Sequence, residues 1–329
     1  MRASHSPALV ALVLFTACAN LAAHAQPAWR PDKNVELIVP SNAGSGADAS
    51  ARLIQKIWQD AKLLDISITV NNKPGGGGAV AWTYLNTHPG DGHYLAFTSA
   101  TLLTNKLAGL NPIGYTDVTP IANLLSEYIV FSVKADSPVR SARDLLERIR
   151  NDPTSLSFGL ATSAGNPNHM AIAKIARSVG VDPRKIKVVV FSASAQSFPA
   201  LLGGHVDVIV TNISNPVQQI EAKTMRAIAV TAPRRQSGVY ANVPTWRELG
   251  VDVVMDNWRG VVGAKAMTPA QVAYWEGAFR RLAQSDEWKK DLERSFQELN
   301  FIGSRDVAKF LAAELEENRM LLNELGMTR

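Results

Sequence analysis

The strongest constraint on this chain is a unit that occurs twice in its first hundred residues: an apolar strand, a glycine-rich turn, then an amphipathic helix. Val35-Glu-Leu-Ile-Val-Pro40 has the composition of a buried strand and runs into Ser41-Asn42-Ala43-Gly44-Ser45-Gly46-Ala47-Asp48. Leu53, Ile54, Ile57, Trp58 and Ala61 then recur at helical spacing. Ile66-Ser-Ile-Thr-Val70 repeats the plan, with Asn71-Asn-Lys-Pro74, the glycines 75–78 and a second helical stretch from Ala79. Glycine lets the backbone approach a bound group closely, and the helix start behind it offers free N–H groups and a positive dipole end. Two such turns on neighbouring strands predict a site for an anion.

The first 25 residues have the order of an export leader. Arg2 supplies the positive charge, Ala8 to Ala19 an apolar run too short to span a bilayer, and Ala23-His24-Ala25 an A-x-A cleavage site. Cleavage after Ala25 predicts a periplasmic chain that begins at Gln26. Cys18, the single cysteine, leaves with the leader, so the mature chain has no thiol for catalysis, a metal or a disulfide. No later segment has the ~18 continuous apolar residues that a membrane span needs. At 46% hydrophobic and 19% charged, the chain has the composition of a globular protein with ample core, and its length suits two domains. The formal charge of +5 is scattered, with short clusters only at Arg184-Lys185-Ile186-Lys187 and Arg234-Arg235. That pattern predicts no nucleic-acid partner, while a mildly positive field still gathers small anions.

Further along, Tyr94-Leu-Ala-Phe-Thr98-Ser99 reads as a third strand. Ile121 to Lys134 is apolar and β-branched, longer than a typical strand, and could carry the chain from one lobe into another. A second strand–loop–helix series follows: 155–160 into Ala161-Thr-Ser163-Ala-Gly165-Asn166, Lys187–Phe191 into Ser192, and Val206–Val210 into Thr211-Asn212. Met225–Thr231 reads as a strand that returns the chain. Helical patterns run from Thr268 to about Leu299 and from Ser304 to Leu325. Strands alternating with helices, interrupted near 126–140, predict an α/β fold of two parallel-type sheets. The divisions are a leader at 1–25, a first lobe at 26–127, a second at 128–227, and a return to the first lobe with C-terminal helices at 228–329.

Several catalytic readings fail on spacing. Gly44-Ser-Gly46-Ala-Asp-Ala49 and Gly76-Gly-Gly78-Ala-Val-Ala81 match the dinucleotide pattern G-x-G-x-x-A, but Val70 is followed by Asn71 and Asn72 rather than an acid for the ribose. There is no Walker loop and no G-x-S-x-G elbow. Of the histidines, His5 and His24 lie in the leader, and His88, His93, His169 and His205 form no ligand pair. We therefore expect no catalytic residue, no metal and no cofactor. Trp58, Trp82, Trp275 and Trp288 fall at core positions of helices rather than on a carbohydrate platform, and Trp258 is left open.

In order, these residues resemble the extracytoplasmic receptors of tripartite tricarboxylate transporters, the Bug receptors. Leu37-Ile-Val-Pro40 through Asp48 is similar to the family's first loop, Asn72-Lys-Pro-Gly75-Gly-Gly77 to its second, and Pro89-Gly-Asp-Gly92-His-Tyr94 to its P-D-G-Y turn. Gly204-His-Val-Asp207, Met225–Thr231, Val243-Pro-Thr245 with Glu248-Leu-Gly250, and Trp258-Arg-Gly260 follow in place. Two departures stand out. Phe191-Ser192-Ala193 replaces a Y-K-G string, and Ser41-Asn42 stands where Phe-Ala is common.

The resemblance implies a two-lobed periplasmic binding protein, type II-like, with a ligand cleft between lobes. Its first two loops would hold a carboxylate through backbone N–H groups, and the loop at 162–169 would hold the distal part. The residues this nominates for ligand binding are Ser41, Asn42, Ala43, Gly44, Ser45, Gly46, Asp48, Gly75, Gly76, Gly77, Thr98, Ser99, Ser163, Gly165, Asn166, His169, Ser192 and Asn212. The implied function is capture of a small organic carboxylate by a monomer, not an enzyme, that works with membrane transporter subunits. The alternatives are an exported α/β enzyme acting on a small carboxylic acid and a ligand sensor for a signalling system.

Overall fold

The computed structural model describes residues 29–62, 64 and 66–328, so the leader and Cys18 lie outside the described residues. The chain forms two sheets, each with helices packed on its faces. In the first, β1 (Val35–Val39) is the near-continuous apolar run expected of a strand covered on both sides. It pairs in parallel with β2 (Ile68–Asn72) and β3 (Tyr94–Thr98). Two more strands of this sheet are β4 (Thr119–Glu127) and β10 (Arg259–Gly263), and β11 (Gln297–Ile302) forms its far edge. The order is β11-β4-β10-β3-β1-β2, with β10 antiparallel to both neighbours. The second sheet contains β5 (Ile129–Lys134), β6 (Ser157–Ala161), β7 (Lys187–Phe191), β8 (Val208–Asn212) and β9 (Met225–Val230), in the order β7-β6-β8-β5-β9.

The helices are α1 (Gly46–Asp60), α2 (Ala79–Leu85), α3 (Thr101–Leu107), α4 (Ala142–Asn151), α5 (Pro167–Ser178), α6 (Ser194–Leu202), α7 (Val217–Glu221), α8 (Pro269–Gln284), α9 (Asp286–Arg294) and α10 (Ser304–Glu324). Their starts follow from capping chemistry. Ser45, Ser141, Asn166, Thr268 and Ser285 each accept a hydrogen bond from an N–H of the first turn, and Pro167 and Pro269 occupy first-turn positions where no N–H is needed. In the first lobe, Trp58 of α1 packs at a tilt against Trp275 and Phe279 of α8, in one core with residues of β1 and β3. Trp58, Trp82, Trp275 and Trp288 are all core residues. Trp258, left open by sequence, is also buried: it packs on Phe310 and donates its indole N–H to Glu314, which anchors α10. The tip of α10 reaches the other lobe, where Leu322 packs with Ala173 of α5 and Lys174 pairs with Glu317.

The apolar stretch at 121–134 does cross between sheets, breaking at Tyr128 between β4 and β5. The return crossing lies elsewhere than the sequence predicts. Met225–Val230 pairs antiparallel with β5 and stays wholly within the second sheet. Trp246, Val251 and Val253 continue in that lobe's core, so the boundary at 227/228 moves to about 256. There Tyr128 bridges Asp256, and the Asn257 N–H donates to the Glu127 carbonyl at 2.7 Å, laying the two crossings side by side. The single helix expected to run to Leu299 also gives way. Ser285 ends α8 and caps α9, and Gln297–Ile302 is instead a strand against β4.

Candidate functional site

The nominated residues all fall at or just beyond the carboxyl ends of strands, where open α/β sheets bind ligands. Ser41 to Asp48 follow β1, Gly75 to Gly77 follow β2, and Thr98 and Ser99 end β3. Ser163 to His169 follow β6, Ser192 follows β7, and Asn212 ends β8. The two loops of the first lobe are tied together. Asn72 donates its side-chain amide to the Ser41 carbonyl (3.1 Å) and to Asp48 Oδ1 (3.0 Å).

Asp48 is buried and turned inward. Its carboxylate also accepts the Gly44 N–H (2.9 Å) and Arg52 Nε (3.0 Å). Burial alone would raise its pKa, but the hydrogen bonds from Arg52, Gly44 and Asn72 outweigh that and hold it below the ordinary carboxylate value. Asp48 therefore shapes the loop rather than pointing into the cleft. Ser41 and Ser45 join their hydroxyls at 2.6 Å, and Ser45 Oγ accepts the Asp48 N–H. The N–H groups of Gly46 and Ala47, the first residues of α1, make no hydrogen bond among the described residues.

The second loop is built from an unusual backbone. Gly75, Gly76, Gly77 and Gly78 have φ of 125°, 56°, 61° and 105°, a run in the left-handed half of conformational space that only glycine takes without strain. Asn105, buried on α3, grips the run by donating to the carbonyls of Gly76 and Gly77, both at 3.2 Å. The N–H groups of Gly75, Gly76 and Gly77 stay unbonded among the described residues, and Gly75 and Gly76 are exposed while Gly77 is half-buried. Lys73, the basic side chain at this edge, lies 3.7 Å from the centre of the Tyr84 ring, away from the glycines.

In the second lobe, Asn166 donates to the Ala161 carbonyl (2.6 Å) and Thr162 Oγ1 (3.0 Å), and caps α5 at the His169 N–H. His169 Nδ1 accepts the Gly165 N–H at 3.0 Å, and burial pushes the imidazole pKa down to about 4, so it is neutral at pH 7. The Ser163 hydroxyl is buried with no partner. Ser192 is exposed and makes no side-chain hydrogen bond among the described residues. Asn212 donates to Glu127 at the crossing (2.8 Å) and accepts from Asn257 (3.2 Å), so it joins the lobes rather than lining open space.

Sequence reasoning missed Asn72, Asn105, Glu127 and Arg259. Arg259 was visible within Trp258-Arg-Gly260, but its neighbours Gly46 and Glu127 lie far away in the chain. No group of acidic, histidine or cysteine residues suited to a metal occurs among the described residues, and none of their helices is long and apolar enough to cross a membrane.

Two α/β lobes joined by paired crossings, with glycine-rich and helix-capping loops facing from strand ends, define a periplasmic binding protein. Residues 51–327 match the model of the tripartite tricarboxylate transporter family receptor. The chain belongs to that family of solute-binding receptors. It is 25% identical over 336 residues to the UPF0065 protein in the gbd 5' region of Cupriavidus necator, covering 100% of this chain and 99% of that one. Among solved structures, it is similar to a TctC solute-binding protein from Polaromonas, with a TM-score of 0.72, 25% identity, and 90% and 100% of the two chains covered. An R. palustris protein solved with adipate superposes with a TM-score of 0.78 at 24% identity, covering 91% and 99%.

Proposed function

We propose that this protein captures a small organic carboxylate in the periplasm and delivers it, as a monomer, to the membrane subunits of a tripartite transporter. The observation that carries this is the set of open N–H donors on the two first-lobe loops. Gly46 and Ala47 offer theirs at the start of a 15-residue helix, and Gly75 to Gly77 on the adjoining loop. Such donors with a helix dipole behind them suit an anion and do not suit a neutral sugar. The adipate bound to the R. palustris neighbour is of the same chemical class. The nominated side chains include no nucleophile paired with a base, because the one histidine among them already spends Nδ1 on its own loop. This supports a reading of binding without turnover. Closure about the crossings would bring the Ser163 and His169 loop over the distal part of the ligand.

A melting-temperature screen of di- and tricarboxylates, aromatic acids, amino acids, neutral sugars and nucleotides tests this. An acid present at about 100 times its dissociation constant stabilises the fold by roughly 2.7 kcal/mol, enough for a shift of a few degrees. Shifts confined to carboxylates support the proposal. A shift with a sugar or nucleotide and with no carboxylate overturns it.

A further inference from the structure

We propose that Arg259 is the charged anchor of this site, and that Glu127 sets how strongly Arg259 attracts the ligand's carboxylate. The proposal rests on the carboxylate reading above and replaces its purely main-chain account of the charge.

Arg259 begins β10, and because β10 runs antiparallel to β3, that beginning lies beside Thr98, at the cleft end of the sheet. Its guanidinium rests against Gly46. A Cβ on Gly46 would stand 3.0 Å from Nη2 and 3.2 Å from Nη1, and Gly46 has no positive φ that would otherwise call for glycine. The glycine is there for the guanidinium's approach. Arg259 is only 9% exposed; Nη2 donates to Glu127, while Nη1 is buried with no partner. Glu127 has little more to give, since its fully buried carboxylate also accepts from Asn212 and Ser214.

A half-satisfied guanidinium therefore lies against Gly46, the first residue of α1, where the N–H groups of Gly46 and Ala47 are also unbonded among the described residues. Cation and helix start repel each other, and each has a donor without an acceptor, Nη1 on the arginine and the first N–H groups on the helix; a carboxylate between them serves both. The other nearby cations are occupied. Arg52 is spent on Asp48 and Asn72, and Lys73 lies on the Tyr84 ring. Glu127 stands behind Arg259, on the crossing between lobes, and partly cancels its charge. It also accepts from Asn212 and Ser214 of the second lobe, so the same carboxylate links the anchor to closure.

The test is calorimetric titration of adipate, malate and citrate, each separately, into the wild-type protein, Arg259→Gln, Arg259→Lys and Glu127→Gln. A unit charge a few ångströms from the ligand in a partly buried site predicts that Arg259→Gln weakens binding by at least about tenfold, with Arg259→Lys between it and the wild type. Glu127→Gln unmasks the guanidinium and should tighten binding by about threefold or more. A pair with only a structural role would lower the melting temperature in both variants without moving their affinities in opposite directions. Should Arg259→Gln fail to fold, the direction of change in Glu127→Gln decides. Unchanged or weaker binding there overturns the inference. If the wild type binds an acid that neither variant affects, the inference alone fails. If the wild type binds none of the three, the acid with the largest melting shift takes their place, and if no acid shifts the melting temperature the carboxylate reading fails and takes the inference with it.

Discussion

The first-lobe loops are held in shape by residues around them and leave main-chain donors open, whereas the second-lobe loop at 162–169 spends Asn166 and His169 on itself and leaves the Ser163 hydroxyl without a partner among the described residues. Asp48, Asn72 and Asn105 brace the first-lobe loops, and the N–H groups of Gly46, Ala47 and Gly75 to Gly77 make no hydrogen bond among the described residues. In the second lobe, Asn166 caps α5 and bonds back to Ala161 and Thr162, and His169 takes the Gly165 N–H. The loops at 161–169, 191–197 and 211–216 contain no lysine or arginine. Under the proposed function this contrast would divide the work: the first lobe would recognise negative charge and so set the ligand's class, and the second would meet the rest of the ligand with neutral groups such as the Ser163 hydroxyl and so set its identity.

The most damaging test of that division is Gly77→Val. At φ 61°, a side chain is strained, and its Cβ would lie 2.5 Å from the Asn105 amide nitrogen. Loss of the loop's shape should cost about 3 kcal/mol of binding or more, a factor of about a hundred, read by titration calorimetry. Wild-type affinity in this variant would remove the first lobe's claim to the charge.

A pH series separates the lobes next. His169 is neutral in the fold with its pKa lowered to about 4, so stability is fully present above its ordinary value near 6.5 and declines as pH falls toward 4. The loss should reach at most about 3 kcal/mol, and His169→Asn, which can still accept the Gly165 N–H, should flatten that part of the melting-temperature curve. An unchanged curve would mean that His169 is not held neutral by burial.

Asp48 predicts a second loss of the same sign, in a more acidic window, for the first lobe. Its folded pKa is depressed, so its contribution is present above the unfolded value near 3.9 and is lost as pH falls through the folded value. Asp48→Asn should cost about 1–3 kcal/mol at pH 7 by leaving buried donors poorly matched, and should remove that acid limb. Denaturant melts at pH 7 and below pH 4 check both parts. The smallest effect belongs to Lys73→Ala. A cation over a partly exposed ring contributes about 0.5–1 kcal/mol to stability, and carboxylate affinity should hardly move. A large loss of affinity would show that Lys73 leaves the ring to reach the ligand.

The first-lobe loops were legible in sequence because their signals are local: a strand, glycines that tolerate positive φ, and a capped helix within a dozen residues. The braces were not. Asn105 and Arg259 act on glycines about thirty and two hundred residues away in sequence, and their own neighbourhoods, even the Trp258-Arg-Gly260 string, do not say what they touch. The same limit applied to the fold. Gln297–Ile302 sits between two helical patterns, and only its pairing with β4 makes it a strand. Met225–Val230 has the look of a crossing strand, and whether it leaves the lobe depends on its pairing with β5, which composition does not express. The sequence places Asp48 in the loop but does not show that its carboxylate accepts from Gly44, Arg52 and Asn72, since a carboxylate beside a helix start can as readily brace the turn as face a ligand.

A crystal structure of the protein with the carboxylate that gives the largest melting shift tests the central claim most directly. The account predicts one carboxylate group about 3 Å from the N–H groups of Gly46 or Ala47 and of the 75–77 run, with the Arg259 guanidinium turned toward it, and the remainder of the molecule against Ser163 and the 162–169 loop. A ligand seated with its carboxylate on the second lobe, or with a neutral group in the first-lobe cradle, would contradict it.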